Sequence, residues 1–194
     1  MAKDKKTQRQ NYPKELKLSN GRPVRLRLME SGDKQRMLAF ARALPQDDLL
    51  FLRSDITEPA IVDDWMRQIE QGTTVTVLAE LSGEMAGYAS LHLDQARWTR
   101  RVGEIRVQVG VGCRGTGLGR RLVGEIFELG QARGLKKMAA MMTPDQGGAR
   151  AAFERLGFQV EALLQDWVVD RLGSPRDLLI MSEDLGGLRE HAAA

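Results

Sequence analysis

From Val24 to Met29 apolar residues (Val24, Leu26, Leu28) alternate with Arg25 and Arg27, which predicts a strand with one buried face. The period then lengthens. Met37, Phe40, Ala41 and Leu44, with Leu38 beside them, mark a helix capped by Ser31 or Asp33 and stopped by Pro45. A second helix starts at Thr57-Glu58-Pro59, buries Ile61, Val62, Trp65, Met66 and Ile69, and ends at Gly72. Thr73 to Leu81, a tight turn at Ser82-Gly83-Glu84, and Ala86 to Leu93 read as a hairpin. A polar connection from Asp94 to Arg101 then leads into the β-branched run Ile105, Val107, Val109, which enters a loop with five glycines between Gly110 and Gly119. The loop empties into a helix from about Gly117 to Ala132. Leu118, Leu122, Val123, Ile126, Phe127 and Leu129 form its buried stripe, and Gly134 ends it. Lys137 to Met142 is a short strand, Pro144-Asp145 a turn, and Ala149 to Leu156 a short helix closed by Gly157. Strands follow from Phe158 onward and over Asp177 to Ser182. This order predicts an α/β fold: a mixed, mostly antiparallel sheet of about six to seven strands with helices on both faces.

The 194 residues are enough for one domain with a substantial core, and no internal repeat is evident. The expected boundaries are a disordered basic tail over 1–20, a single domain over 21–186 and a flexible C-terminal tail over 187–194. The formal charge of +3 is uneven. Up to Arg22 there are seven Lys or Arg against Asp4 and Glu15, so the first 22 residues carry +5 and the rest −2. That places the basic character in a solvated leader, and no nucleic-acid partner is expected. No long apolar span or signal-peptide pattern is present, so no membrane is expected, and a single cysteine, Cys113, fits a reducing cytoplasm. His92 and His191 are far apart and, with one cysteine, give no metal-ligand pattern.

A strand, a glycine loop and a helix start together form an anion site. Glycine lets the backbone approach a ligand, and the first helical turn offers N–H groups with a favourable dipole. A phosphate-bearing ligand is therefore expected. No Gly-Lys-Ser/Thr follows Gly115, Gly117 or Gly119, which excludes a Walker A loop. The dinucleotide pattern G-x-G-x-x-G is present as Gly110-Val111-Gly112-Cys113-Arg114-Gly115. Yet a hairpin precedes it, and Asp145 lies about thirty residues past the loop, where about twenty is the rule.

Arg114-Gly115-Thr116-Gly117-Leu118-Gly119 resembles the Q/R-x-x-G-x-G/A signature of the GNAT acyltransferases, between the fourth strand and the long helix where that family carries it. Downstream, the segment from Gln146-Gly147-Gly148-Ala149 to Phe153 and Gly157-Phe158 resembles the family's N-x-x-A-x-x-L-Y-x-x-x-G-F, at the proper separation. The likeness is sharp from Val102 to Phe158 and topological from Pro23 to Asp184.

The resemblance implies acetyl-CoA as cosubstrate. The backbone of Arg114, Gly115, Thr116, Gly117, Leu118 and Gly119 would hold the pyrophosphate, with Arg120 and Arg121 adding charge. Val107, Gln108 and Val109 would pair with the pantetheine arm, and the Val109 N–H would polarise the thioester carbonyl. Glu104 is the candidate general base, and the next strand (Met138, Met141, Met142) offers no acid. His92 and Asp94 are remoter choices, expected at the surface. Phe153 stands where the family often has a tyrosine acid, and Gln146 where it has asparagine. Cys113 is expected to pack rather than to carry the acyl group. The acceptor side, with Arg53, Arg97, Trp98, Arg100 and Arg101, would favour a carboxylate-bearing small amine. A protein amine is an alternative substrate, a non-catalytic acyl-CoA sensor an alternative role, and a homodimer a possible assembly.

Overall fold

The computed structural model describes residues 11–49, 52, 54–94, 96–170 and 172–186. Residues 1–10, the tail from 187, Arg53 and His191 lie outside the described residues. In chain order the strands are β1 (Lys14–Lys17), β2 (Pro23–Leu28), β3 (Thr74–Leu81), β4 (Glu84–Leu93), β5 (Val102–Val109), β6 (Lys137–Met142), β7 (Gln159–Val169) and β8 (Pro175–Asp184). The helices are α1 (Lys34–Arg42), α2 (Gln46–Leu49), α3 (Pro59–Gln71), α4 (Leu118–Ala132) and α5 (Gly147–Glu154). All eight strands form one sheet in the order β1-β2-β3-β4-β5-β6-β8-β7. Neighbours are antiparallel except β5 and β6, which run parallel across the α4 crossover. The mixed sheet is as expected, with one strand more than the upper count.

The extra strand is β1, inside the stretch expected to lack structure. It pairs Lys14 with Leu26 and Lys17 with Pro23. Its support comes from α4: the Tyr12 hydroxyl donates to Glu125 Oε2 at 2.7 Å, and Lys14 Nζ lies 2.7 Å from Glu125 and 2.9 Å from Glu128. Four residues hold too little periodicity to announce such a strand; partners more than a hundred positions away specify it. The helix α2 likewise occupies a stretch, between Pro45 and Thr57, in which the sequence pattern marks no element. Asp33 is not the side-chain cap of α1. It closes a 3₁₀ turn (Ser31–Asp33) by accepting the Glu30 N–H at 2.9 Å, and it pairs with Arg27 at 2.6 Å. The start of α3 has Pro59 in its first turn, and Gly72 ends that helix with φ +80°.

Each face of the sheet buries a different stripe, because side chains alternate along a strand. Val77, Ala79, Ala89, Leu91, Ile105 and Met138 pack with Leu118, Leu122 and Ile126 of α4. Full burial of a Leu or Ile side chain is worth about 1.5–3 kcal/mol, so this stripe anchors α4 across the centre of the sheet. On the opposite face Leu78 and Tyr88 pack with Met37, Phe40 and Ala41 of α1 and Val62, Trp65 and Met66 of α3. The strands β3 and β4, covered on both sides, form the rigid centre beside which the site is built.

Candidate active site

Strand β5 loses its partner halfway. It pairs with β6 only over Val102↔Lys137, Gly103↔Met138 and Glu104↔Ala139, while β6 continues alongside β8 to Met142↔Leu179. Beyond Glu104 the two parallel strands part, and a gap opens between them. What faces the gap follows from the ladder on the other side. Gly110 N–H donates to Ala86 O at 2.9 Å, in line with the β4–β5 register Val109↔Gly87. Antiparallel pairs alternate between bonded and non-bonded, so Gln108, Arg106 and Glu104 exchange backbone bonds with Tyr88, Ser90 and His92. The peptide groups of Val107 and Val109 therefore turn toward the gap. Gln108 was expected to share that role, but its backbone is committed to β4.

At the end of β5 the chain makes a 3₁₀ turn (Val111–Cys113) and reaches α4 through Gly115 and Gly117, with φ of +72° and +82°. A Cβ at Gly112 or Gly115 would meet nothing within 4 Å, so this loop is open to approach. Gly119 packs its Cα side toward Val109, whose Cγ2 would lie 3.6 Å from an added Cβ. The Thr116 carbonyl accepts from Ser19 Oγ at 2.7 Å and from Ser19 N–H at 3.2 Å. In a planar trans peptide this sends the Gly117 N–H away from Ser19. The N–H groups of Leu118, Gly119 and Arg120 begin the helix and have no earlier helical carbonyl to meet. Arg120 and Arg121 are exposed on the first turn. The result is a cradle of main-chain donors beside the positive end of a fifteen-residue helix, suited to a diphosphate. Arg114 uses its side chain otherwise: Nε donates to Val109 O at 3.3 Å and Nη2 pairs with Asp48 of α2. Neither Ser19 nor Asp48 carried a sequence signal, since each acts through the fold from another part of the chain.

Glu104 sits on the α1/α3 face, its side chain 19% exposed and its Oε1 accepting from Arg106 Nε at 2.7 Å. Ala139 lies beside it on β6 and His92 opposite on β4. His92 is half-buried rather than a surface residue. Its ring bridges Thr74 Oγ1 (3.1 Å) and Ser90 Oγ (2.9 Å). Asp94 is exposed and caps its own loop, accepting from Ala96 N–H at 2.8 Å and Thr99 Oγ1 at 2.5 Å. In that loop Trp98 is 91% exposed. Cys113, half-buried, packs against the α4 core. Phe153 meets Phe158 edge-on with centroids 4.8 Å apart, so the residue standing for the usual tyrosine is a packing residue here. Gln146 folds back, its Oε1 accepting the Thr143 N–H at 3.3 Å. Among the described residues no cluster of His, Cys, Asp and Glu could hold a metal, and no helix is long and apolar enough to cross a membrane.

No curated protein matches the sequence. Solved structures do. The acetyltransferase of the GNAT family from Streptococcus pneumoniae superposes with a TM-score of 0.73 at 22% identity, covering 83% of this chain and 99% of that one. Ribosomal-protein-alanine N-acetyltransferase from Brucella melitensis gives 0.73 at 22%, covering 82% and 98%. A GNAT superfamily phosphinothricin acetyltransferase from Sinorhizobium meliloti, in complex with acetyl-CoA, gives 0.72 at 21%, covering 84% and 89%. At such identities the likeness is one of fold. The model of the acetyltransferase (GNAT) family matches residues 36–158, well over half of the sequence and spanning the glycine loop, the parted strands and the second motif. The chain belongs to the acetyltransferase (GNAT) family.

Proposed function

We propose that this protein transfers the acetyl group of acetyl-CoA directly to a primary amine of a small molecule. The observation that carries the reading is the pairing of an open glycine cradle at the α4 N-terminus with a gap into which Val107 and Val109 turn their peptide groups. The backbone from Arg114 to Gly119 would hold the pyrophosphate, and the free edge of β5 the pantetheine arm, as an added strand. Strand rise separates Glu104 from Val107 by about 10 Å and from Val109 by about 17 Å. The N–H that polarises the thioester carbonyl is therefore better supplied by Val107 than by Val109, which then serves the arm. An ammonium is not a nucleophile. Glu104 takes its proton through water, the amine nitrogen bonds to the carbonyl carbon, and the C–S bond breaks. A thiol of pKa about 8.5 is a tolerable leaving group, and with Phe153 in place of tyrosine, water returns the proton.

The test is acetyl-CoA titration followed by thiol release across amines and peptides. Glu104→Gln should lower turnover about 100-fold or more while leaving cofactor affinity within about twofold; an unchanged rate would remove Glu104 from the mechanism. A protein amine is the second reading, supported by the exposed Trp98 in the loop after β4, and activity on peptides alone would select it. Cofactor binding without transfer to any amine would select a sensor. We place the protein in the cytoplasm, consistent with its one cysteine.

We also propose a homodimer through β7. This edge strand exposes Val160, Leu163, Trp167 and Val169, whereas the other edge, β1, is four residues long and carries two lysines. Light scattering should give twice the chain mass, and Trp167→Asp should return it to one.

A further inference from the structure

Ser19 reaches the glycine loop from outside it, 97 positions earlier in the chain than Thr116. Its hydroxyl donates to the Thr116 carbonyl at 2.7 Å, and its N–H donates to the same oxygen at 3.2 Å. The bonds lie at the surface, where water would satisfy that carbonyl as well, so their effect lies in direction more than in stability. Direction matters at this peptide. Gly117 has a φ of +82° with the Thr116 oxygen turned to Ser19 and its own N–H turned the other way. Half a turn of the Thr116–Gly117 peptide would give Gly117 a negative φ, which glycine adopts about as readily. It would also exchange the two groups, so that an oxygen, not an N–H, joined the donors of the first turn of α4. A carbonyl dipole there would repel the phosphate that those N–H groups attract. The glycine that opens the loop leaves its polarity undecided, and Ser19 decides it.

Strand β1 holds Ser19 at that spot. Leu18 is buried in the same core cluster as Leu118, the second residue after Thr116. The turn that follows closes through Leu18 N–H to Arg22 O and Gly21 N–H to Leu18 O, both at 2.9 Å. At the other end of β1 the Tyr12 hydroxyl bonds Glu125 of α4 at 2.7 Å. Ser19 is thus a fixed donor, anchored to α4 on one side and to β2 on the other. We infer that Ser19 is a positioning residue for the diphosphate of the acyl carrier, keeping the Thr116–Gly117 peptide turned so that the cradle presents a donor. The inference rests on the coenzyme A reading above. It adds a residue from a part of the chain that neither acetyltransferase motif includes.

The experiment compares three variants of the full chain. Ser19→Ala removes the hydroxyl, Ser19→Thr keeps it, and Tyr12→Phe loosens β1 at the Glu125 bond while leaving Ser19 in place. Calorimetry measures the Kd for coenzyme A and for ADP, which carries a diphosphate without the arm. Thermal melting reads the ligand-free proteins. One lost neutral hydrogen bond shifts a two-state population about fivefold, so Ser19→Ala should weaken both ligands by about that factor. Ser19→Thr should stay within about twofold of wild type for both. Tyr12→Phe should melt lower than wild type and keep both affinities. Wild-type affinities in Ser19→Ala would overturn the inference alone. So would equal weakening in Ser19→Thr or Tyr12→Phe, which would trace the effect to the packing of β1 and not to the hydroxyl. A loss for coenzyme A that ADP does not share would overturn it too, by placing the effect on the arm. Failure of the wild-type protein to bind coenzyme A would overturn the functional reading and this inference with it.

Discussion

At the scale of single residues, the glycines of the loop divide by what each needs. Gly115 and Gly117 have left-handed backbones, whereas a Cβ at Gly112 meets open space and its φ is ordinary. Gly117→Ala should therefore cost about 1 kcal/mol in denaturant unfolding, and it should weaken coenzyme A by disturbing the N–H that Ser19 orients. Gly112→Ala should be silent in both measurements, and equal effects at the two positions would show that φ does not control the site. Much at this scale was legible. Glycines, a β-branched run and a carboxylate on the same strand are local in sequence, and the chain keeps them together. The illegible residues are those whose roles depend on distant partners: Ser19 on Thr116, Asp48 on Arg114, and Phe153 on Phe158, which it meets edge-on.

At the scale of elements, β5 is positioned by β4. An added Cβ at Gly87 would lie 2.7 Å from Gln108 O and 3.3 Å from Val109 Cα, both backbone atoms. Gly87→Ala must then push the end of β5, with an overpacking cost of about 1–3 kcal/mol. It should also weaken coenzyme A, since the displaced segment carries the Val109 peptide. A melting temperature and Kd both at wild-type values would contradict that account of the gap. The hairpin β3–β4 and the helices α3 and α4 were readable because each has its own period and stop signals. The strand β7 was read from Phe158 onward without an end, and β8 was read two residues short at each end, where Pro175, Arg176, Glu183 and Asp184 carry no apolar alternation.

At the scale of the molecule, the first core elements are tied by a charge network. Arg27 bonds both oxygens of Asp33 at 2.6 Å and Glu80 at 2.8 Å, and Arg36 reaches Glu80 at 2.8 Å. Burial alone would raise the Asp33 carboxyl, but bonds from Arg27 and the Glu30 N–H hold it below its ordinary value. A carboxyl whose pKa is lower in the folded state contributes stability that is complete above its unfolded value, about 3.9, and is lost as pH falls through the folded value. The melting temperature should thus drop below about pH 4, and less steeply in Asp33→Asn. An identical acid profile in the variant would place the loss elsewhere.

A contiguous stretch of chain can encode the helical and strand periods, the glycine cradle that follows β5, and the two motifs that together implied the acyltransferase fold. That β1 joins the sheet, that β5 and β6 part after Glu104, and which peptide groups of β5 face the opening are settled by the folded chain alone. The reason is physical. A strand's register, and the loss of it, is a property of two chains side by side. Packing between elements far apart in sequence chooses among pairings that the local pattern leaves equal.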